Sequence, residues 1–245
     1  MPFSYPSYVR EDLAEAHARV WEMLAQPGAW WTAEDRIAIA AEVRAAGDCD
    51  FCKERKQALS PNAQLPGNHT RASNLPEIVV DTVHRIVTDA NRLSESWLRG
   101  INEGGISDEQ YIELLGIVVA VISIDAFHDA LGLEHQALPT PAPGAPSGYR
   151  PPGARDNGAW VATIEPEDLS ECEEEIYRGA PQMSNVIKAM SLVPDSVRML
   201  NIESDAQYMP PFQVADPTSN GGRAITRPQI ELIAGRVSAL NDCFY

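Results

Sequence analysis

The segment 108–131 constrains this chain more than any other. Ser107-Asp108-Glu109-Gln110 has the spacing of a capping box, in which the cap hydroxyl and the Gln side chain satisfy each other's backbone N–H groups. Gly132 stands where a helix commonly ends in the left-handed conformation. Between those two stops, 114–124 is apolar but for the small Gly116 and Ser123, so a helix here is apolar nearly all round near Val118. Such a helix is the most buried element of its fold, and amphipathic helices must surround it. The apolar run is bounded by Glu113 and Asp125 and is too short to span a bilayer.

The remaining chain supplies those neighbours. Residues 11–26 carry Leu13, Ala16, Val20, Met23 and Leu24 at helical spacing and stop at Pro27-Gly28. Trp30 and Trp31 follow as core anchors. Thr32 caps a second helix, with Ile37, Ala40, Ala41 and Val43 as its buried side, ending at Gly47-Asp48. A third helix starts at Cys49 and runs to about residue 59. Residues 60–74 are rich in Pro, Asn and Gly and read as a loop. Pro76 opens a long helix to about residue 99, and Gly104-Gly105 breaks it. Six prolines and three glycines make 138–153 a linker. Helical spacing returns in 166–177, 185–192 and 194–208, and 209–222 reads as another loop. A last helix, capped by Thr226, is expected to bury Ile230, Ile233, Val237 and Leu240. No stretch alternates with period two, so the expected fold class is all-α.

Charge and cysteine usage narrow the function. Lys and Arg number 19 against 35 Asp and Glu, a net charge of −16, and the pI is about 4.6. That balance argues against a nucleic-acid surface. Residues 1–10 lack the charged start and apolar core of a signal peptide, so a soluble cytoplasmic protein without a membrane partner is expected. Cys172 and Cys243 are isolated and suggest no secreted disulfide framework.

The chemistry concentrates at Cys49-Asp50-Phe51-Cys52. One helical turn brings two such sulfurs together, and a helix N-terminus favours the first thiolate, as do Lys53, Arg55 and Lys56. The functional reading is a redox dithiol with an exposed thiolate as nucleophile and the other cysteine resolving. Two packing cysteines form the plain alternative. Structural zinc needs two more ligands; His69 and His84 form no tight pair in sequence and no second C-x-x-C exists, so no metal or cofactor is expected. His84 and His128 lie on apolar helices and read as packed histidines, although His128 has a route to the dithiol on the helix at 108–131. Glu34, Asp35 and Glu42 are candidate proton relays that read equally as surface acids, and Cys172, in an acidic run, is expected to be inert.

An internal repeat extends this picture. Thr32 to Cys49 and Thr226 to Cys243 align at a constant offset, with Thr, Ile39/Ile233, Ala40/Ala234, Val43/Val237, Ala45/Ala239, Asp48/Asp242 and Cys identical. With these residues, with Asp35-Arg36 through Cys52, with 231–245 and with 106–128, the chain resembles the AhpD-like, carboxymuconolactone decarboxylase superfamily, in its two-repeat, peroxidase-related branch. The resemblance implies an AhpD-like helical bundle of two tandem repeats, the second incomplete, usually a homo-oligomer. It divides the chain into a first repeat at 1–137, a linker at 138–160 and a second repeat at 161–245. The implied activity is reduction of a small-molecule hydroperoxide, or a disulfide, with a cellular dithiol as reductant. A decarboxylase-like enzyme and a non-catalytic helical oligomer are the alternatives.

The family pattern sets a Glu twelve residues before C-x-x-C and a His four residues after it. Ile37 and Lys56 occupy those places in the first unit, while the second keeps Glu231 and Cys243. The implied catalytic set is therefore Cys49, Cys52, Cys243 and Glu231. The offset puts the partner of Cys52 at position 246, one past Tyr245. The expectation is a second site that continues past Tyr245, through a selenocysteine encoded by UGA, with an artificial chain end or a true stop as the alternatives. Reading the gene past Tyr245 decides among them.

Overall fold

Local sequence signals set most of the helix boundaries. The computed structural model describes residues 5–61, 63, 65–241 and 243. Their order is α1 (Glu11–Leu24), α2 (Ala33–Asp48), α3 (Asp50–Gln57), α4 (Glu77–Asp89), α5 (Glu95–Glu103), α6 (Asp108–Leu131), α7 (Asn185–Lys188), α8 (Pro194–Gln207), α9 (Pro211–Val214) and α10 (Arg227–Leu240). The fold is all-α: among the described residues the only ladder pairing outside helices is one isolated antiparallel bridge, Arg155 with Thr163.

α6 is the centre. Its capping box forms as expected, and Gly132 is left-handed at φ 66°, with the Leu133 N–H reaching back to the His128 carbonyl. Leu114, Ile117, Val121 and Ile124 are fully buried. Each contributes about 1.5–3 kcal/mol by burial, which sets the scale of what holds this helix in place. The complete helix is long and apolar enough to cross a membrane by length and composition. Half of its apolar stretch is buried inside the fold, where α6 contacts α2, α4 and α8, while Ile122 is 40% exposed. One core cluster runs from Val20 of α1 to Met199 of α8. The strongest pairings are α2 with α4, α6 with α8, and α1 with α8.

Several sequence expectations change in three dimensions. The helix expected from Pro76 to about residue 99 divides: a 3-10 turn, Ala90–Arg92, follows α4, and Ser94 then caps α5 by accepting from the Trp97 N–H. Helical spacing in 166–177 produces only two 3-10 turns, Pro166–Asp168 and Glu174–Tyr177, around the buried Ile176 and Tyr177. The stretch at 138–153 is no free tether. Its backbone N–H groups at Ala142, Ser147 and Gly148 donate to the carbonyls of Ala25, Gly28 and Ala29, strapping it over the end of α1. On α10 only Ile230 is buried; Ile233, Val237 and Leu240 are 55%, 52% and 65% exposed. Helical periodicity marks a face that can be covered, and the tertiary fold decides whether it is.

Candidate functional site

The site forms where α2 hands the chain to α3. Cys49 is extended (φ −69°, ψ 112°), and it is the last cap of α2 and the first cap of α3. Cys52 sits one turn into α3. Glu42 lies on the buried stripe of α2 with Ile39, Val43 and Ala46, two turns before Cys49. α4 crosses α2 and carries Asp81 and His84, one turn apart. The loop between α3 and α4 brings His69. Gly67, at φ 147°, lets this loop lie flat on Phe51, where an added Cβ would stand 2.5 Å from the ring.

These pieces converge on the sulfurs. Cys52 Sγ lies 3.4 Å from Nδ1 of His69 and 3.3 Å from Nδ1 of His84, and Cys49 Sγ lies 3.8 Å from His69 Nδ1. The Thr70 N–H donates to Cys49 Sγ at 3.4 Å, and the Arg55 guanidinium approaches Cys52 Sγ at 3.8 Å. Each imidazole is held from behind by a carboxylate. His84 Nε2 is 3.1 Å from Glu42 Oε2, and His69 Nε2 is 3.0 Å from Asp81 Oδ1. Glu42 is locked in turn by the Ala72 N–H at 3.0 Å and the Ser73 hydroxyl at 2.6 Å, and Asp81 by Arg55. Glu42 is thus no surface acid: it is fully buried with three partners.

Electrostatics follow from these contacts. Burial pushes the Cys52 thiol up, but hydrogen bonds from His69 and His84 outweigh it and bring the thiol down to about 6. Burial likewise opposes ionisation of Cys49, and the Thr70 and Cys52 N–H groups with His69 overcome it, so that thiol is also lowered. His69 loses by burial and gains more from Asp81 and the two sulfurs, ending at about 10. His84 is raised by Cys52 and Glu42 against the same burial cost. Each thiol is thus shifted toward its thiolate and each ring toward its imidazolium.

Exposure corrects one expectation. Cys49 is 0% and Cys52 1% exposed, so neither offers the open thiolate read from the sequence. A cavity of about 670 Å³ lies beside them, lined among others by Phe51, Arg55, His69, Asp81, Arg85 and Trp97. His69 spans the wall between that cavity and the sulfurs, with Asp81 on one side and the cysteines on the other.

The second-repeat candidates lie elsewhere. Glu231 is on the open side of α10, bonded to the Tyr208 hydroxyl at 2.6 Å and to Arg227. Cys243 and Cys172 are exposed free thiols. Neither Glu231 nor Cys243 joins the cluster of Cys49, Cys52, His69 and His84. His128 also stays away: its Nδ1 bonds the Ile124 carbonyl, and its ring packs on Tyr5 and His135. Asp81 is not legible in the sequence as a site residue, and His69 enters there only as a zinc ligand, set aside for want of a tight pair with His84, whereas the fold puts the two ring centroids 4.4 Å apart. For His84 and Glu42 a signal existed, since each puts an ionisable group in phase with a buried apolar stripe. Comparison with protein-family models, with curated proteins and with solved structures finds no match.

Proposed function

We propose that this chain is a thiol-based oxidoreductase of the AhpD-like kind, which reduces hydroperoxides through Cys49 and Cys52. The observation that carries this reading is Cys52 Sγ lying against Nδ1 of both His69 and His84, each ring backed by a carboxylate. Glu42 and His84 take the proton-handling part that the family pattern gives to positions held here by Ile37 and Lys56. In the reaction, the Cys52 thiolate attacks the terminal peroxide oxygen and the O–O bond breaks. The leaving alkoxide takes a proton from a neighbouring imidazolium and departs as the alcohol. Cys49 then attacks the Cys52 sulfenic acid, a disulfide forms, and hydroxide leaves as water after taking a second proton. Two electrons pass from the dithiol to the peroxide, and a cellular dithiol restores them by exchange.

Cys52 is the attacking sulfur in this reading, since both rings address it and Cys49 meets only one. Because both sulfurs are closed off, a peroxide entering from the cavity must displace His69 first. A homo-oligomer accompanies this reading, and a monomer by light scattering removes that part alone. The test of the activity is dithiothreitol-dependent loss of cumene hydroperoxide. Turnover is expected in the parent chain and is lost in Cys52→Ser and in Cys49→Ser. Turnover that persists in both variants overturns the proposal.

A further inference from the structure

The same four side chains have a second property that peroxide chemistry does not require. Both cysteine sulfurs and one ring nitrogen from each of His69 and His84 lie within 4.8 Å of one another, and all four residues are buried. Around a tetrahedral zinc ion with Zn–S near 2.3 Å and Zn–N near 2.0–2.1 Å, an S···N edge measures about 3.6 Å. The three S···N edges given above are 3.8, 3.4 and 3.3 Å, scattered about that value. Four soft donors within 4.8 Å of one another, three of their S···N edges near the tetrahedral length, in a pocket closed to solvent, suit a structural zinc site rather than an open catalytic one.

The surroundings match as well. A metal-bound histidine needs its other ring N–H held, which fixes the tautomer and aims the lone pair. Glu42 and Asp81 do this for Nε2 of His84 and His69, leaving both Nδ1 atoms turned to the sulfurs. The Thr70 N–H and the Arg55 guanidinium approach the two sulfurs and disperse thiolate charge. Two thiolates and two neutral imidazoles around a divalent ion leave the first shell uncharged, which suits a buried position. Soft sulfur and imidazole donors in a tetrahedron select zinc over magnesium or calcium.

We infer that the reduced Cys49–Cys52 pair, with His69 and His84, is a zinc site, and that oxidation of the pair ejects the metal. The first half stands on geometry alone; the second rests on the dithiol reading above. In balance, the zinc dithiolate, one hydroperoxide and two protons yield the disulfide, the alcohol, water and free zinc ion. The sulfurs are oxidised, the peroxide oxygens are reduced, and the metal keeps its charge. Zinc and peroxide therefore compete for the same electron pairs, and metal release reports oxidation.

The test uses the full chain, reduced with a phosphine and freed of metal by a chelator. Titration with cobalt(II) should saturate at one ion per chain, with the intense visible bands of tetrahedral coordination and a sulfur-to-metal band in the near ultraviolet. Zinc should displace it. Cumene hydroperoxide should then release the zinc to a chromophoric chelator, one ion for the two thiols lost at Cys49 and Cys52, with the exposed Cys172 and Cys243 counted separately. His84→Ala should remove the tetrahedral spectrum, and Cys172→Ser should leave it unchanged. Since His84→Ala leaves Glu42 buried without its ring, Glu42→Gln serves beside it: the ligands remain, and zinc affinity should fall about 10–100-fold. A pale octahedral cobalt spectrum in the parent chain, or none, overturns the zinc site and leaves peroxide turnover to stand or fall separately. Zinc that stays bound with both thiols intact after peroxide treatment overturns the release and counts against the dithiol reading, while the site itself stands.

Discussion

Thr32 to Cys49 and Thr226 to Cys243 share a capping threonine, an apolar phase and a terminal Asp-Cys, yet they have opposite fates. Both form capped helices. On α2, Ile39, Ala40, Val43 and Ala46 are buried, and Cys49 ends in the core. On α10, the residues matching Ile39 and Val43 are more than half exposed, and Cys243 is open. What differs is the company. α4 and the loop after α3 lie over α2 and bring His69, Asp81 and His84 to its end. α10 is anchored at its start, where Arg227 donates to the carbonyls of Gln213, Val214, Asp216 and Ser219, while its apolar face stays open. One helix pattern thus ends in a buried cysteine–histidine cluster in the first case and on a peripheral helix in the second. A cysteine at a helix end becomes a site only when other elements deliver the groups that charge it.

The largest effect expected from this contrast is on turnover. Cys52→Ser should abolish peroxide consumption, whereas Cys243→Ser should leave it within about twofold, as for a surface change away from the site. Equal losses in the two variants would break the comparison. Next comes stability. Glu42→Ala leaves the raised His84 without its buried partner and should cost about 3–5 kcal/mol, against no more than about 0.5 kcal/mol for Glu231→Ala on the open helix. Urea unfolding of both variants measures it. Within the apolar stripes, Ile39→Ala should cost about 2–5 kcal/mol and Ile233→Ala about 0.5 kcal/mol or less, because only the first leaves a cavity. A similar cost at both positions would mean that α10 is covered in solution.

The smallest effect sharpens the role of partners. Glu203 of α8 is buried like Glu42, but its Oε1 has no hydrogen-bond partner among the described residues, and burial raises its carboxyl well above the ordinary 4.5. A carboxyl raised in the folded state keeps its proton there after the unfolded chain has lost it. Its contribution is complete below pH 4.5 and declines as the pH rises toward the folded value. Glu203→Gln should therefore raise the thermal midpoint at pH 8 and change it little at pH 4. A variant that destabilises more at pH 8 than at pH 4 would show that Glu203 is paired after all.

Local physics was legible without coordinates. Caps at Thr32, Ser107 and Thr226, the stop at Gly132, the 3.6-residue apolar phase and the absence of period-two alternation follow from neighbours within a few residues, and they determined the all-α class and most helix positions. The adjacency of Cys49 and Cys52 was equally local. What only the tertiary structure decided was which apolar faces are covered and which distant groups meet. Periodicity is the same for Ile39 and Ile233, so it cannot say which is buried. His69 and His84 are far apart in sequence, and an imidazole carries no mark of its future neighbour. The crossing of α4 over α2, with the loop pinned to Glu42 through Ala72 and Ser73, brings them to the same two sulfurs. Helix formation is a short-range equilibrium, whereas a four-residue cluster depends on packing that the whole chain has to agree upon.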